Sequence, residues 1–475
     1  MRIKKKSQMP LQKLFLLLCV SIPFGGVEAW HPGSWSTKHA YQMPQYPDLL
    51  RLEKVTTELS KKAPLIFAGE ADELKHKLAE VSVGRRFLIT GGDCAETFDD
   101  FSSVKIRQDL QLLMQMSLVC SFAAGLPALQ IGRVAGQFAK PRSQSLEIIE
   151  GTKYPVYRGD IINDLDVRWR EPDPERMLTA YHQSAQTLNL VRAFIQGGYT
   201  RIDQVHDWKL DTHSTAWYAD TMARIREALT FFGTFRGPAG SYTNSHSASD
   251  LRLDHFYTGH ECLLLPYEES LTRLDTRTQD YYDCSAHFLW LGERTRKLDG
   301  AQTEFLRGIK NPIGIKVSSN WDHDEMARLL DILDPHGEPG KITLITRMGS
   351  DKIAQHLPPL IDSVQKMKRT VVWCCDPMHG NTFAVGTVKT RQFEQVKLEL
   401  SQFFDIHRSM GTIPGGIHLE MTNNNVTECL GGSMDGIRID DLEVSYESKC
   451  DPRLNGRQAL EIAFMVGEKL RNHKK

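Results

Sequence analysis

The sequence predicts an α/β protein whose main domain is a (β/α)8 TIM barrel with an N-terminal extension and inserted helices. Short apolar segments end abruptly in polar clusters about eight times along the chain. Most of these segments are separated by stretches of helical length, and strand–helix alternation favours a parallel sheet. Eight such units can close a barrel, whose active site lies at the carboxyl ends of its strands. The alternative is an open doubly wound sheet, which binds ligands in a crevice at a switch point.

Each predicted strand is a short apolar run followed directly by charged or turn-forming residues. The weakest of them is RIDQVHDW, because polar residues interrupt it. In chain order the predicted strands are RFLIT (86–90), ALQIG (128–132), RIDQVHDW (201–208), HFLWLG (287–292), IGIKV (313–317), ITLIT (342–346), VVWCC (371–375) and GIHLE (416–420).

Three regions are expected along the chain. Residues 1–29 form a leader, residues 30–85 an N-terminal extension, and residues 86–475 the barrel. The connection at 209–285 is longer than one helix, so we expect inserted helices there.

The leader has the parts of a secretory signal: lysines at 4–6, an apolar run at 14–24 and VEA at 27–29. The apolar run is too short to cross a bilayer as a helix. The alternative is a disordered leader that carries no targeting signal. Because nothing downstream requires export, we expect a cytoplasmic protein. The leader leaves export or targeting to an organelle as alternatives.

Composition limits the class of protein. Hydrophobic residues make up 41% and charged residues 25% of the chain, as in ordinary globular proteins. The formal net charge of −1 gives no overall basic surface for nucleic acid. Nine cysteines in 475 residues are too few, and odd in number, for a disulfide scaffold. We therefore expect a reducing compartment, in which a functional cysteine acts as a thiol or metal ligand.

Basic residues cluster at the ends of the predicted strands. Any one of these residues could be a surface salt-bridge partner. Together they suit one or two small metabolites with several negative charges, because a guanidinium group binds a phosphate or carboxylate through two parallel hydrogen bonds. A lysine inside the IGIKV strand would point into the barrel, where an unpaired ammonium is costly and needs an anion. The residues are Arg133, Lys140, Arg142, Arg294, Arg296, Lys316 and Arg347.

A metal site is the second hypothesis. Cys94, His379, Glu420 and Asp451 each lie beside a turn-forming glycine or proline. A thiolate, an imidazole and two carboxylates suit manganese, iron, cobalt or zinc better than magnesium or calcium. Spacing alone is weak evidence, because the set contains no compact motif such as C-x-x-C.

Motifs spread along the chain resemble those of the class II (plant-type) DAHP synthases, where DAHP is 3-deoxy-D-arabino-heptulosonate 7-phosphate. They follow the family order from about residue 30 to 470 and are specific only in combination. Among them are SWSTKHAYQMPQYPD, GGDCAETF, GRVAGQFAKPRS, LWLGERTRKLDGA, NPIGIKVS, ITLITRMG, DPMHGNT, PGGIHLEMT, NVTECLGG and CDPRLN. The family fold is a (β/α)8 barrel with an N-terminal extension and extra helices.

The resemblance implies a role for each motif residue. The metal ligands would be Cys94, His379, Glu420 and Asp451. The phosphoenolpyruvate pocket would use Arg133, Glu293, Arg294, Lys316 and Arg347. The KPRS motif would add Lys140, Arg142 and Ser143, the last two at the phosphate of erythrose 4-phosphate. The residues expected to act in catalysis are Lys316, Arg133 and Lys140.

The implied reaction joins phosphoenolpyruvate, D-erythrose 4-phosphate and water to give DAHP and phosphate, the first step of the shikimate pathway. The implied cofactor is a divalent metal, Mn²⁺ first, with Co²⁺ or Zn²⁺ as alternatives. Lys316 or a water on the metal would deliver the proton to the new alkoxide. A further hypothesis is that loss of the metal exposes Cys94 to oxidation with Cys450, and the alternative is that Cys450 is inert.

Partners and alternative functions follow from the same resemblance. We expect a homo-oligomer, without nucleic acid and without stable membrane insertion, and a chorismate mutase is a candidate partner. One alternative is a related synthase that feeds secondary metabolism. The other is a non-catalytic barrel that senses aromatic amino acids or binds a partner; a broken ligand set would indicate it, and this set is intact.

Overall fold

The structure is a computed structural model, and it describes residues 29–149, 151–200, 223–225, 227–228, 230–231, 255–432 and 436–473. Apart from residue 29, the expected leader lies outside the described residues. The chain divides into two compact units, Met1–His31 and Pro32–Lys475. All elements below belong to the second unit. No helix among the described residues is both long and apolar enough to span a membrane.

Eight parallel strands of the described chain close into a barrel, in the circular order β1–β14–β11–β10–β9–β8–β5–β2, and three hairpins, β3–β4, β6–β7 and β12–β13, are added to it. The strands are β1 (Phe87–Gly92), β2 (Ala128–Arg133), β3 (Leu146–Ile149), β4 (Thr152–Pro155), β5 (Tyr257–Glu261), β6 (Thr272–Leu274), β7 (Tyr281–Asp283), β8 (Phe288–Leu291), β9 (Ile313–Val317), β10 (Ile342–Thr346), β11 (Val372–Cys375), β12 (Thr382–Val385), β13 (Val388–Arg391) and β14 (Gly416–Glu420). The predicted fold class is confirmed.

Each barrel strand is followed along the chain by a helix. The helices are α1 (Leu49–Ser60), α2 (Ala68–Ser82), α3 (Ser103–Ala124), α4 (Arg176–Gln196), α5 (Leu265–Leu271), α6 (Ala301–Leu306), α7 (His323–Leu333), α8 (Ile353–Lys366), α9 (Phe393–Ser409) and α10 (Gly456–His473). Local signals set their ends: Ser102 accepts a hydrogen bond from the backbone of Lys105 at the start of α3, and Gly125 ends α3 at φ +60°.

Seven of the eight predicted segments supply barrel strands. The eighth prediction, 201–208, lies outside the described residues, and β5 (Tyr257–Glu261) completes the closed barrel in its place. The residues of β5, YTGHE, alternate poorly between apolar and polar. Within the segment 209–285, where inserted helices were expected, the described part from 255 onward contains β5, α5 and the β6–β7 hairpin.

Helix α2 closes the amino-terminal end of the barrel. Leu74, Leu78 and Val81 recur at helical spacing and are fully buried. They join a core cluster with residues from the first half of several strands: Leu88, Leu129, Tyr257, Phe288 and Val372. Because this end is filled by apolar side chains, the open end of the barrel is the one at the carboxyl ends of the strands.

The segment before α1 lies along the helices that follow β5 and β8. The Trp35 indole donates to Glu269 of α5 at 2.8 Å, and the Ser34 hydroxyl donates to Glu304 of α6 at 2.7 Å. Gln42 accepts a hydrogen bond from the backbone of Arg142 at 2.9 Å. The N-terminal segment therefore reaches the loops around the open end of the barrel.

Candidate active site

A cavity of about 200 Å³ opens at the carboxyl ends of the barrel strands. A single water needs roughly 10–15 Å³ on this scale, so the cavity has room for small metabolites. Of the residues predicted from the sequence, it is lined by Arg133, Lys140, Glu293, Arg294, Lys316, Arg347, His379 and Asp451.

Three of the four expected metal ligands converge beside this cavity, and His379 and Asp451 line it. One ligand atom from each of His379, Glu420 and Asp451 lies within 4.8 Å of the others. The His379 Nε2 atom is 3.2 Å from Glu420 Oε1. Burial opposes ionisation of Glu420, but His379 and Lys140 outweigh it and hold the pKa of this carboxyl well below its usual range. Lys140 likewise overcomes burial to lower the pKa of Asp451.

The donor set fits a divalent cation. Two ionised carboxylates and an imidazole nitrogen suit manganese, iron, cobalt or zinc. Basic side chains balance the carboxylates from the other side. Lys140 Nζ lies 2.6 Å from Glu420 Oε1 and 3.0 Å from Asp451 Oδ2, and Arg391 donates to Glu420 Oε2 at 2.7 Å.

Cys94, the fourth expected ligand, lies beside this group of three but is not part of it. Its Sγ atom is 3.1 Å from the Ser448 hydroxyl and 3.5 Å from the backbone nitrogen of Asp451. A hydrogen bond from Cys450 lowers the pKa of the Cys94 thiol to about 7, against the effect of burial. The thiol thus borders the metal-binding group and is more easily ionised than an ordinary cysteine.

The predicted cations form the wall of the cavity around Trp290. The Arg133 guanidinium carbon lies 5.2 Å, and Lys316 Nζ 5.8 Å, from the centre of the Trp290 ring. Arg347 lines the same space, and its buried Nε has no hydrogen-bond partner among the described residues. Burial lowers the pKa of Lys316 to about 8, although Asp376 opposes this. This wall offers several positive charges to an anionic ligand.

The remaining predicted residues lie on the cavity wall or next to it. Arg294 donates to the Ser143 hydroxyl at 2.9 Å. Glu293 accepts from the Ser318 hydroxyl at 2.9 Å and pairs with Arg296 at 2.9 Å. Arg142 lines a neighbouring surface depression rather than the cavity itself, and Arg296 lies outside the cavity wall.

The sequence as a whole matches a family model. The model of the Class-II DAHP synthetase family covers residues 30–467. The chain belongs to the Class-II DAHP synthetase family. It is thus an enzyme of the DAHP synthase class, and the family assigned from the motifs is confirmed.

Several named relatives match over nearly their whole lengths. Phospho-2-dehydro-3-deoxyheptonate aldolase of Streptomyces coelicolor is 46% identical over 92% of this chain and 97% of its own. The protein of the same name from Neurospora crassa is 44% identical over 94% and 95%. Phospho-2-dehydro-3-deoxyheptonate aldolase AroG of Mycolicibacterium smegmatis is 41% identical over 92% and 93%.

Asp376 is a central residue that our sequence analysis of this family member did not assign. Its buried Oδ2 lies 2.8 Å from His379 Nδ1 and 2.5 Å from Lys316 Nζ. A carboxylate on Nδ1 fixes that nitrogen as the donor and leaves Nε2 free to bind a metal. Asp376 thereby connects the metal-binding group to the cationic wall. Its position three residues before His379, directly after β11, is a signal that could have identified it.

His418 is a second residue of the site for which the sequence predicted no role. It is fully buried on β14, and its Nε2 lies 2.6 Å from Arg133 Nη1. Burial, with Lys316 and Arg133 nearby, holds the pKa of His418 well below its usual range. The neutral ring accepts the hydrogen bond from Arg133 and orients this guanidinium. Because residues two apart on a strand share a face, the position of Glu420 predicts that His418 also points inward.

Glu261 is the third such residue, and it ends β5. Its Oε1 atom is buried without a hydrogen-bond partner among the described residues, and its side chain lines the cavity. A Cβ on Gly292 would lie 2.0 Å from this oxygen, so a side chain at position 292 would displace the Glu261 carboxyl. Burial raises the pKa of Glu261, although Lys140 and Lys316 oppose this.

Proposed function

We propose that the enzyme condenses phosphoenolpyruvate with D-erythrose 4-phosphate and water to give DAHP and phosphate, the first step of the shikimate pathway, with the help of a divalent metal. The observation that carries the proposal is the meeting of His379, Glu420 and Asp451 beside the wall formed by Arg133, Lys316 and Arg347. A cation site next to several positive charges suits the joining of two phosphorylated substrates.

The metal would be held by His379, Glu420 and Asp451, with Cys94 as the fourth ligand expected from the family motif. Mn²⁺ is our first choice, and Co²⁺ and Zn²⁺ fit the same donors. Bound there, a divalent cation supplies Lewis-acid polarisation of an aldehyde oxygen. Asp376 holds His379 in the tautomer that this requires.

Phosphoenolpyruvate carries a carboxylate and a phosphate, and the wall of the cavity can bind both. Arg133 is fixed by His418 and by the backbone carbonyls of Asp93 and Cys94, at 2.8 and 3.0 Å. Arg347 has a free donor on the same wall. A fixed guanidinium orients the substrate at little entropic cost, which turns an encounter of two molecules into a positioned reaction.

Two side chains are suited to handling protons. Lys316, whose pKa burial lowers to about 8, is mostly protonated at neutral pH and can give a proton to the alkoxide formed from the aldehyde. Glu261 has a free carboxyl oxygen on the same cavity and can accept a proton from the water that adds to phosphoenolpyruvate. Phosphate then leaves by cleavage of the bond between carbon and oxygen.

The test is an assay of phosphoenolpyruvate loss with purified enzyme. We expect loss only when erythrose 4-phosphate is present, abolition by a chelator, and recovery when Mn²⁺ is returned. Loss of phosphoenolpyruvate that continues at the same rate after chelation would refute the metal requirement. Loss that does not depend on the aldehyde would refute the reaction.

We also propose a cytoplasmic homo-oligomer that can accept a chorismate mutase as partner. All eight described cysteines are buried free thiols, which suits a reducing compartment. Leu50, Ile148 and Trp169 are 79%, 70% and 69% exposed and are candidates for a subunit interface. Sedimentation of the enzyme alone and with a chorismate mutase would test both associations.

A further inference from the structure

Helix α9 carries a carboxyl group on its apolar face. Phe393, Val396, Leu400 and Phe403 line this face and are fully buried, and Glu399 lies among them with no exposed surface. Burying a carboxyl group is costly unless it is well hydrogen-bonded. Its partners therefore indicate what Glu399 does.

Glu399 binds two loops at once. Its Oε1 accepts hydrogen bonds from the backbone nitrogens of Met348 and Gly349, at 3.0 and 2.9 Å. Its Oε2 accepts one from the side-chain amide of Asn381 at 2.7 Å. Met348 and Gly349 directly follow Arg347, and Asn381 lies two residues after His379. One carboxyl group thus connects the arginine loop after β10 with the histidine turn after β11.

The two loops also touch through their backbones. A Cβ on Gly380 would lie only 2.3 Å from the backbone nitrogen of Gly349. Gly349 has φ +91°, which other residues rarely adopt. Asn381 adds a further link, because its Oδ1 accepts from the Ser350 backbone nitrogen at 3.1 Å. Small movements of one loop must therefore displace the other.

We propose that Glu399 is a positioning residue that sets Arg347 and His379 relative to each other, so that one carboxyl group fixes both the anion site and the metal site. This inference rests on the proposed function, because it assumes that phosphoenolpyruvate meets Arg347 and that a divalent cation meets His379. Glu399 touches neither ligand and acts only through the two loops.

Burial raises the pKa of the Glu399 carboxyl to about 8, and the three donors that face it, the backbone nitrogens of Met348 and Gly349 and the amide of Asn381, oppose this rise. All three partners donate, and both carboxyl oxygens accept. A glutamine at this position could still accept from the Met348 and Gly349 nitrogens through its oxygen. Its amide nitrogen would then face the amide nitrogen of Asn381, and two donors would oppose each other at the place of a 2.7 Å hydrogen bond.

The main test compares E399Q with Q395A. Gln395 lies one turn earlier on α9, is exposed and accepts from the Ser350 hydroxyl at 2.7 Å, so its variant is a matched control. Mn²⁺ affinity is measured by electron paramagnetic resonance without substrate, and the KM for phosphoenolpyruvate is measured in the condensation assay. E399Q leaves two buried donors opposed and unsatisfied, which predicts that it weakens both about tenfold or more, whereas Q395A changes neither more than about twofold.

Two further variants separate positioning from simple loss of stability. In E399Q/N381D an aspartate can accept from the new amide, so we expect Mn²⁺ affinity to recover at least in part. In N381S the contact of Glu399 with the arginine loop remains, so Mn²⁺ affinity should fall more than the KM rises. N381S also serves as the test if E399Q does not fold, which circular dichroism would show.

The inference is overturned if E399Q lowers thermal stability but leaves both the Mn²⁺ affinity and the KM unchanged, or if N381S weakens neither. Failure of the proposed function would look different, because the unmodified enzyme would then not consume phosphoenolpyruvate at all. The Mn²⁺ titration needs no turnover and stays informative in either case.

Discussion

Replacing Asp376 by asparagine should move the alkaline limb of the pH–rate profile to lower pH. Lys316 Nζ lies 2.5 Å from Asp376 Oδ2, and both side chains are almost completely buried. Burial lowers the pKa of Lys316 to about 8, and the negative charge of Asp376 keeps it from falling further. Without that charge, burial and the nearby Arg133 act unopposed, so Lys316 loses its proton at lower pH.

The size of the shift follows from this contact. A hydrogen bond to a charged group contributes about 1.5–3 kcal/mol, and one pKa unit corresponds to about 1.4 kcal/mol. The pKa of Lys316 should therefore fall by about 1 to 2 pH units in D376N. If Lys316 delivers the proton, activity at neutral pH falls and is recovered in part at lower pH.

The assay is the initial rate of phosphoenolpyruvate loss across the neutral and mildly alkaline range, at saturating Mn²⁺ and substrates. The control is D362N, which removes an acid from an exposed pair with Lys366 on α8. Its profile should match that of the unmodified enzyme. An alkaline limb that stays in place in D376N, or moves to higher pH, would refute the proton-donor role of Lys316.

Three further predictions follow from the structure. Lys316→Ala should lower kcat by a factor of about 10²–10⁴, the usual contribution of a proton donor. Cys375→Ser, on buried β11, should change kcat little, and equal losses in the two variants would contradict the proton-donor role of Lys316. Cys94 and Cys450 lie in one buried cluster, so oxidation of the metal-free enzyme with diamide should join them and consume two thiols. Cys450→Ser should prevent this, and equal thiol loss in that variant would contradict the pairing. Leu78→Ala in α2 should cost about 2–5 kcal/mol in the free energy of unfolding, measured by urea denaturation; an unchanged midpoint would show that α2 contributes little to the barrel core.

Most barrel strands were predictable because the sequence carries both their apolar core and the polar residues at their ends. β5 was not, because burial on this strand does not require apolar side chains. His260 is buried there through a 2.9 Å contact with Glu268, and Gly259 approaches the backbone of Phe288 too closely for a Cβ. A strand that buries a threonine, a glycine and a histidine beside one tyrosine lacks the alternation that marks a strand.

The candidate site was predictable where a residue acts directly and less so where it acts through another. Arg133 and His379 lie at strand ends in distinctive motifs, and the structure brings both to the cavity. Asp376 and His418 gain their roles from contacts with residues distant in sequence or across a turn, and only coordinates reveal these contacts. The ligand role of Cys94 stays a prediction, since its thiol lies beside the group of three.

Because α2 closes the amino-terminal end of the barrel, it decides where a stable catalytic unit can begin. A chain cut at the predicted start of the barrel, residue 86, would keep every strand but lose the helix that covers Leu88 and Leu129. An apolar hole would then open to solvent, and exposed apolar patches of this kind promote aggregation. The segment before β1 therefore covers the closed end of the barrel, and a truncated chain that lacks α2 should not fold stably.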